Sequence, residues 1–158
     1  MRHRRRGQPV ALAVLFAMSA SGSTVSAKSK AAAKVDAVTA GDQALAAGNP
    51  AAAAKAFSDA YRKGGPASVL CRMGRAAAAS GQALLAQDYV RRCLQEGGAQ
   101  PAEREALDAI VAQPVKEAGE AMVLGSAGAL VSDGETLLGR LPLSGPLLLG
   151  KGRHTLVL

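Results

Sequence analysis

The feature that most constrains this chain is one pattern of small and apolar residues that occurs twice, 33 residues apart (positions 41 and 74). A fixed offset of this length is typical of stacked helical hairpins, because one hairpin has an apolar face that it cannot bury alone. We therefore expect two antiparallel helical hairpins between Val35 and Cys93. The matched positions are Gly41, Gly48, Ala53, Phe57 and Ala60 in the first copy and Gly74, Gly81, Ala86, Val90 and Cys93 in the second.

Turn-forming residues divide this region into about five helices. Asn49-Pro50 marks a helix start, because asparagine caps free N–H groups and proline at the first helical position needs no donor. Glycines mark the helix ends, because glycine tolerates the left-handed conformation found there. The first predicted helix ends at Gly48. The next three run from Pro50 to about Lys63, from Pro66 to Ser80 and from about Leu84 to Gln95, and a fifth, from Glu103 to Val111, forms a terminal cap.

The helical region resembles the tetratricopeptide repeat (TPR). The Ala53-x-x-x-Phe57 spacing, followed by Pro66, matches the second half of the motif, and Gly41 and Gly74 take its glycine position. The resemblance implies a stack of hairpins with a groove lined by the first helix of each pair. Small or aliphatic residues replace the large aromatic residues of the motif. These are Ala37 and Leu70 where Trp is usual, and Ala44 and Ala77 where Tyr is usual.

Two charged residues are the candidates for partner contacts in that groove. The motif positions imply that Asp42 and Arg75 point into it, where polar groups of the family can hold an extended peptide. The alternative is an ordinary solvated face, because charge on an exposed helix usually serves solubility.

The N-terminus has the layout of a secretory signal peptide over residues 1–27. A basic start precedes an apolar run from Pro9 to Met18, and Val25-Ser26-Ala27 forms a small-residue cleavage site. The apolar run is well short of the ~20 residues of a spanning helix. We therefore expect cleavage after Ala27 and an exported chain, periplasmic or secreted, with no membrane span.

Export also changes the interpretation of the net charge of +7. Four of the 19 basic residues lie in the first six positions, so their removal leaves 15 basic against 12 acidic residues. A net charge of +3 is ordinary for a soluble domain, and a nucleic-acid partner loses its main support.

Cys71 and Cys93 are the only cysteines. Position 82, midway between them, lies where the third and fourth helices turn, so the two residues would stand at the same height on antiparallel helices. An exported pair usually forms a disulfide. The repeat positions, however, direct Cys71 toward the groove and Cys93 inward. The sequence leaves both alternatives, a disulfide and two free thiols packed as small apolar residues.

The last third, residues 114–158, changes from helical periodicity to short apolar runs separated by glycine, a pattern typical of strands. Asp133-Gly134 predicts a hairpin turn. The series Asp133-Gly134, Gly139, Pro142, Gly152 and His154 resembles the PEGA domain, a small β-sandwich of exported bacterial proteins. Because that family normally continues through a further strand, we expect either an incomplete sheet or a fragment of a longer protein. The predicted strands are Met122–Leu124, Ala129–Val131, Leu137–Leu138, Leu147–Leu149 and Thr155–Leu158.

Residues 28–158 contain no nucleophile motif, no phosphate-binding loop and no paired carboxylates in a strand-loop context. Because His3 leaves with the signal peptide, His154 is the single histidine of the mature chain, and no acidic residue lies at a useful spacing from it. We therefore expect a hydrogen bond that fixes its turn and not a metal site. The expectation is a mainly α protein: a signal peptide (1–27), a TPR-like domain (28–113) and a PEGA-like β domain (114–158).

These features predict a non-enzymatic interaction protein of the bacterial cell envelope, with no cofactor and with a peptide or protein partner. Its β module would act as a tether or spacer. The alternative is the exported sensory or regulatory part of a larger signalling protein.

Overall fold

The computed structural model describes residues 24–115 and 117–158, with the side chains of the first helix described from Val35 onward. The signal peptide predicted for residues 1–27 falls outside this part except for its last four residues, and it stays a prediction. Five α-helices followed by small antiparallel sheets confirm the predicted succession of a helical and a β region. The helices are α1 (Thr24–Ala46), α2 (Pro50–Arg62), α3 (Ser68–Ala79), α4 (Ala83–Gln95) and α5 (Arg104–Val111), with a 3₁₀ turn at Pro101–Glu103.

The start of α3 differs from the prediction by two residues. Pro66 was expected to open the helix, but Pro66 and Ala67 form a turn instead. Their carbonyl groups accept hydrogen bonds from the amides of Val69 and Leu70, at 2.9 Å each. The helix therefore begins at Ser68, two residues later than a proline start would place it.

The ends of the first four helices share one geometry, which repeats the 33-residue offset. The second residue after each helix end is a glycine with positive φ, between 69° and 88°. The next residue donates its amide hydrogen to a carbonyl five residues earlier, as Asn49 does to Ala44 and Gln82 does to Ala77. This arrangement satisfies carbonyl groups that a helix end would otherwise leave free. The four glycines are Gly48, Gly64, Gly81 and Gly97.

The offset also appears in the packing inside each hairpin. Gly41 of α1 lies so close to α2 that a Cβ atom there would stand 2.3 Å from the ring of Phe57. In the second hairpin, a Cβ atom on Gly74 would stand 2.4 Å from the Val90 side chain. Phe57 and Val90 are fully buried. The repeated glycine therefore makes room for a fully buried side chain of the partner helix.

The β region contains two small antiparallel sheets. In one, β1 (Gly119–Ala121) pairs with β4 (Leu147–Leu149). In the other, β2 (Leu130–Asp133) lies between β3 (Thr136–Arg140) and β5 (Leu156–Val157). The predicted turn at Asp133-Gly134 connects β2 and β3, and Gly134 has a φ of 56°.

The strand predicted at Met122–Leu124 is wrong. The first strand ends at Ala121, which pairs with Leu147. Met122 and Leu124 beyond it are 72% and 83% exposed. The apolar run suggested burial, but the pairing register with β4 uses the residues before it.

The helical and β regions share apolar contacts. Leu137 of β3 is buried within the helical core, and Leu130 packs against it. Leu85 of α4 packs against both that core and the second cluster. The β region is thus docked on the helical stack along α4. The second cluster is formed by Val131, Leu138, Leu141 and Leu147.

Candidate functional site

The two residues predicted for the groove lie on the same side of the stack but do not pair with each other. Arg72 of α3 donates to Asp42 of α1, with 3.1 Å between Nε and Oδ1. Arg75, one turn further along α3, donates to Glu103, also at 3.1 Å. Residues three apart on a helix are neighbours on its surface. The four side chains therefore form a line of charges across α1, α3 and the 3₁₀ turn, which we call the charged ladder.

The charged ladder is accessible to solvent. The side chains of Asp42 and Arg75 are 49% and 48% exposed, and those of Arg72 and Glu103 are about a third exposed. Ion pairs at such exposure contribute little to stability, roughly 0 to 1 kcal/mol. A ligand can therefore replace one member of each ion pair at a small cost in stability. The sequence did not indicate Arg72 and Glu103, because their partners Asp42 and Arg75 lie 30 and 28 residues away.

A disulfide joins the helix that carries the ladder arginines to its partner. Cys71 and Cys93 are bonded, with a Cα–Cα distance of 5.3 Å, and both are buried. Cys71 immediately precedes Arg72. The cross-link therefore holds α3 against α4 beside the charged ladder.

A buried polar cluster, which the sequence did not reveal, connects α4 to the β region. Asp88 and Arg92, both 2% exposed, form an ion pair one helical turn apart. Arg92 also donates to the carbonyl of Leu138, and Asp88 accepts from the amide of Leu148 at 2.9 Å. An i,i+4 pair of opposite charge usually marks an exposed helix face. Here the carbonyl of Leu138 and the amide of Leu148 supply hydrogen-bond partners to the buried pair.

Two aromatic side chains reinforce this junction. The hydroxyl of Tyr89 donates to the carbonyl of Leu137, and burial raises the pKa of Tyr89 far above its ordinary value. The guanidinium groups of Arg92 and Arg140 lie over the rings of Tyr89 and Tyr61, at 5.5 and 5.1 Å from the centroids. These contacts fix the orientation of the β region on the helical stack.

A cavity of about 550 Å³ opens beside this junction, between α2, the α3–α4 corner and β3. Its floor is apolar, and Lys55, Asp59 and Arg62 bring charges of both signs to its rim. This mixed rim does not select for a ligand of one charge. The apolar lining includes Met73, Ala77, Leu85, Tyr89 and Leu137.

His154 has the acidic neighbour that the sequence spacing did not predict. Its Nδ1 lies 2.6 Å from Oδ2 of Asp133, and its Nε2 lies 2.9 Å from the carbonyl oxygen of Gly150. The hydrogen bond with Asp133 raises the pKa of His154 and lowers that of Asp133. The pairing of β5 with β2 brings these two residues together although they are 21 positions apart in the sequence.

No protein-family model, curated protein or solved structure matches this chain. The resemblances to the TPR and PEGA families therefore stay predictions from the sequence. Across residues 24–115 and 117–158, no three His, Cys, Asp or Glu side chains are grouped so as to hold a metal ion. In the same part of the chain, no helix has the length and apolar character needed to cross a membrane.

Proposed function

We propose that this chain is an exported, non-enzymatic interaction protein of the bacterial envelope that binds an extended peptide or protein segment on the charged ladder. The observation that carries the proposal is the line of partly exposed charges from Asp42 to Glu103. Arginine suits such a role, because its guanidinium group binds carboxylates through two parallel hydrogen bonds. A bound segment would replace the weak internal pairs of Arg72 and Arg75 with its own carboxylates and amides.

In this proposal the β region acts as a tether or spacer between the binding face and an envelope surface. Support comes from its buried contacts with α4, especially the pair formed by Asp88 and Arg92. A module joined in this way keeps a constant orientation to the ladder, because breaking a buried ion pair costs several kcal/mol. It can therefore hold the binding face at a defined distance from an envelope surface.

The ladder can be tested by capture from an envelope extract with matched charge reversals. The immobilised protein is compared with Arg75→Glu and Arg72→Glu, and with Arg153→Glu as the control. Arg153 is exposed in the β4–β5 loop, away from the ladder. We expect a partner that is retained by the native protein and by the control but lost by both ladder variants. Calorimetry with the captured segment should then show at least about tenfold weaker binding to Arg75→Glu, the effect of about 1.4 kcal/mol.

Two results would contradict the proposal. One is capture of the same proteins by all four forms, which would place binding elsewhere on the surface. The other is the absence of any ladder-dependent partner. Circular dichroism of each variant shows whether it has kept its helical content, so that loss of binding is not confused with unfolding.

Export is tested separately by mass spectrometry of the protein from the envelope fraction. We expect a mature N-terminus at Lys28, because Val25 and Ala27 are the small residues that a signal peptidase inspects. A different N-terminus, or an uncleaved form, would contradict this part of the proposal.

A second candidate function is the sensory or regulatory part of a larger envelope signalling protein. The buried junction between α4 and the β region favours it, because a change at the ladder could reach the strands through Cys71–Cys93 and Asp88–Arg92. Binding at the ladder should then change the hydrogen exchange of amides in β3 and β4. Unchanged hydrogen exchange in these strands would favour the first candidate function, the interaction protein.

A further inference from the structure

We propose that His154 is a pH-sensitive latch, whose imidazolium form holds the segment Gly150–Leu158 on the β2–β3 hairpin and whose neutral form releases it. The inference is independent of the charged ladder and of any partner.

The geometry of the ring requires two protons. Nδ1 faces the carboxylate of Asp133 at 2.6 Å, and Nε2 faces the carbonyl of Gly150 at 2.9 Å. Both groups are acceptors only, and a neutral imidazole carries a single N–H. Loss of one proton therefore leaves a nitrogen lone pair directed at an oxygen lone pair. The ring is about a quarter exposed, so water can take up the proton.

Apart from the latch, the segment contacts the hairpin through a short strand pairing and through Leu156, which packs against the cluster that contains Val131 and Leu138. β5 pairs with β2 through only two positions, Val157 with Ser132 and Leu156 with Asp133. The other oxygen of Asp133 accepts from the amide of Thr155 at 3.1 Å. Asp133 therefore holds both the ring and the backbone at the start of β5. A strand of two residues is only marginally stable by itself, so we expect loss of the Asp133 contact to weaken its pairing with β2.

The charged surroundings leave Asp133 as the dominant partner among the described residues. Around the small pocket beside the ring, α4 contributes Gln82 to Leu85, β3 contributes Thr136 and Leu138, and β4 contributes Leu148 and Leu149. None of these groups titrates. On the loop of His154 itself, Lys151 pairs with Glu117 at 3.6 Å, and Arg153 is exposed. Across the hairpin turn, Glu135 is exposed and accepts no hydrogen bond from the ring.

The sign of the pH dependence follows from these contacts. Because its pKa is raised in the folded protein, His154 contributes stability that is complete below its ordinary pKa of about 6.5 and is lost as pH rises through the folded value. Because its pKa is lowered, Asp133 contributes stability that is complete above about 3.9 and is lost below it. The latch is therefore closed between roughly pH 4 and 6.5 and opens at higher pH.

Opening has a structural consequence. Release of the segment would uncover the edge of β2 and remove one wall of an apolar pocket of about 320 Å³. An uncovered edge presents free N–H and C=O groups, to which another extended segment can add as a strand.

The test is hydrogen exchange by NMR on the purified full chain between pH 5 and 8.5. After correction for intrinsic exchange, the protection of the Thr155, Leu156 and Val157 amides should fall as His154 loses its proton. The total fall should be about tenfold for each unit by which the folded pKa exceeds the unfolded one. The amides of α3 should show no such change, which separates local release from global unfolding.

Three variants complete the test. His154→Gln and Asp133→Asn should abolish the pH dependence of protection, and Asp133→Asn should also lower the pKa of His154. Glu135→Gln, a carboxylate in the same turn, should behave as the native protein. Flat protection of residues 155–157 in the native protein would overturn the proposal. So would an unchanged pH dependence in His154→Gln.

Discussion

Gly139 of β3 lies against the guanidinium group of Arg92 on α4, so closely that a Cβ atom at position 139 would stand 2.2 Å from Nη1. Arg92 is itself 2% exposed, and it donates to the carbonyl of Leu138, the residue before this glycine. The absence of a side chain at position 139 thus leaves space for the buried guanidinium group between α4 and β3. The contact explains why a strand interior, where glycine is unfavourable, contains one.

Substitution of this glycine should therefore weaken the junction. Gly139→Ala is expected to cost about 1–3 kcal/mol of unfolding free energy, because a methyl group would also meet Leu143 at 2.8 Å. Gly119→Ala is the matched control, since its nearest atom lies 3.9 Å away. Urea denaturation followed by circular dichroism measures both. Equal midpoints for the two variants would show that Arg92 can move aside freely.

Removal of one member of the buried ion pair should lower the free energy of unfolding strongly, whereas replacement of both members by apolar residues should lower it less. Asp88→Ala leaves the Arg92 charge unpaired and is expected to cost about 3–5 kcal/mol. The double variant Asp88→Ala with Arg92→Met should cost clearly less, because Nε of Arg92 already lacks a partner among the described residues. Arg91→Met, next to it in an exposed pair with Glu120, is the control and should change stability by less than about 1 kcal/mol. Additive losses in the double variant would argue against a coupled pair.

The contact between Gly41 and Phe57 should dominate the first hairpin. Phe57 is fully buried, so Phe57→Ala is expected to lower the free energy of unfolding by about 3–5 kcal/mol. Gly41→Ala should also destabilise the protein, but much less in the Phe57→Ala background, because the ring it would strike is gone. Val35→Ala, at a residue 61% exposed, serves as the control. Thermal melting gives all four midpoints. A small loss for Phe57→Ala would mean that the helices close over the gap.

Reduction of the disulfide should destabilise the helical stack. Cys71 and Cys93 are 22 residues apart, and closing a loop of this size is worth roughly 3 kcal/mol in the unfolded chain. Denaturation with and without a reducing agent measures the difference, and the double variant Cys71→Ala with Cys93→Ala is insensitive to the reagent. Mass spectrometry after alkylation counts the free thiols. Two labelled cysteines in the untreated protein would contradict the bond.

Local chemistry in the sequence was sufficient to predict the helices. The helix ends at Gly48 and Gly81 and the cap at Asn49 depend on residues within a few places of one another, and the glycine positions occur in both copies of the repeat. The side chain of Asn49 does accept from the amide of Ala52, at 3.1 Å. The hairpin at Asp133-Gly134 could also be predicted from the sequence, since one short motif specifies the turn.

The contacts between distant residues were decided only by the tertiary structure. Nothing near Arg92 indicates that its charge will be buried, because the carbonyl that accepts from it belongs to Leu138, 46 residues away. Asp42 was expected to point into the groove, and the fold also pairs it with Arg72, which the repeat positions did not indicate. His154 likewise obtained its acid from a turn 21 residues earlier. Periodicity specifies which face of a helix or strand is buried, but the partner of a polar side chain depends on which backbone groups the packing brings near, and that is settled only when the elements dock.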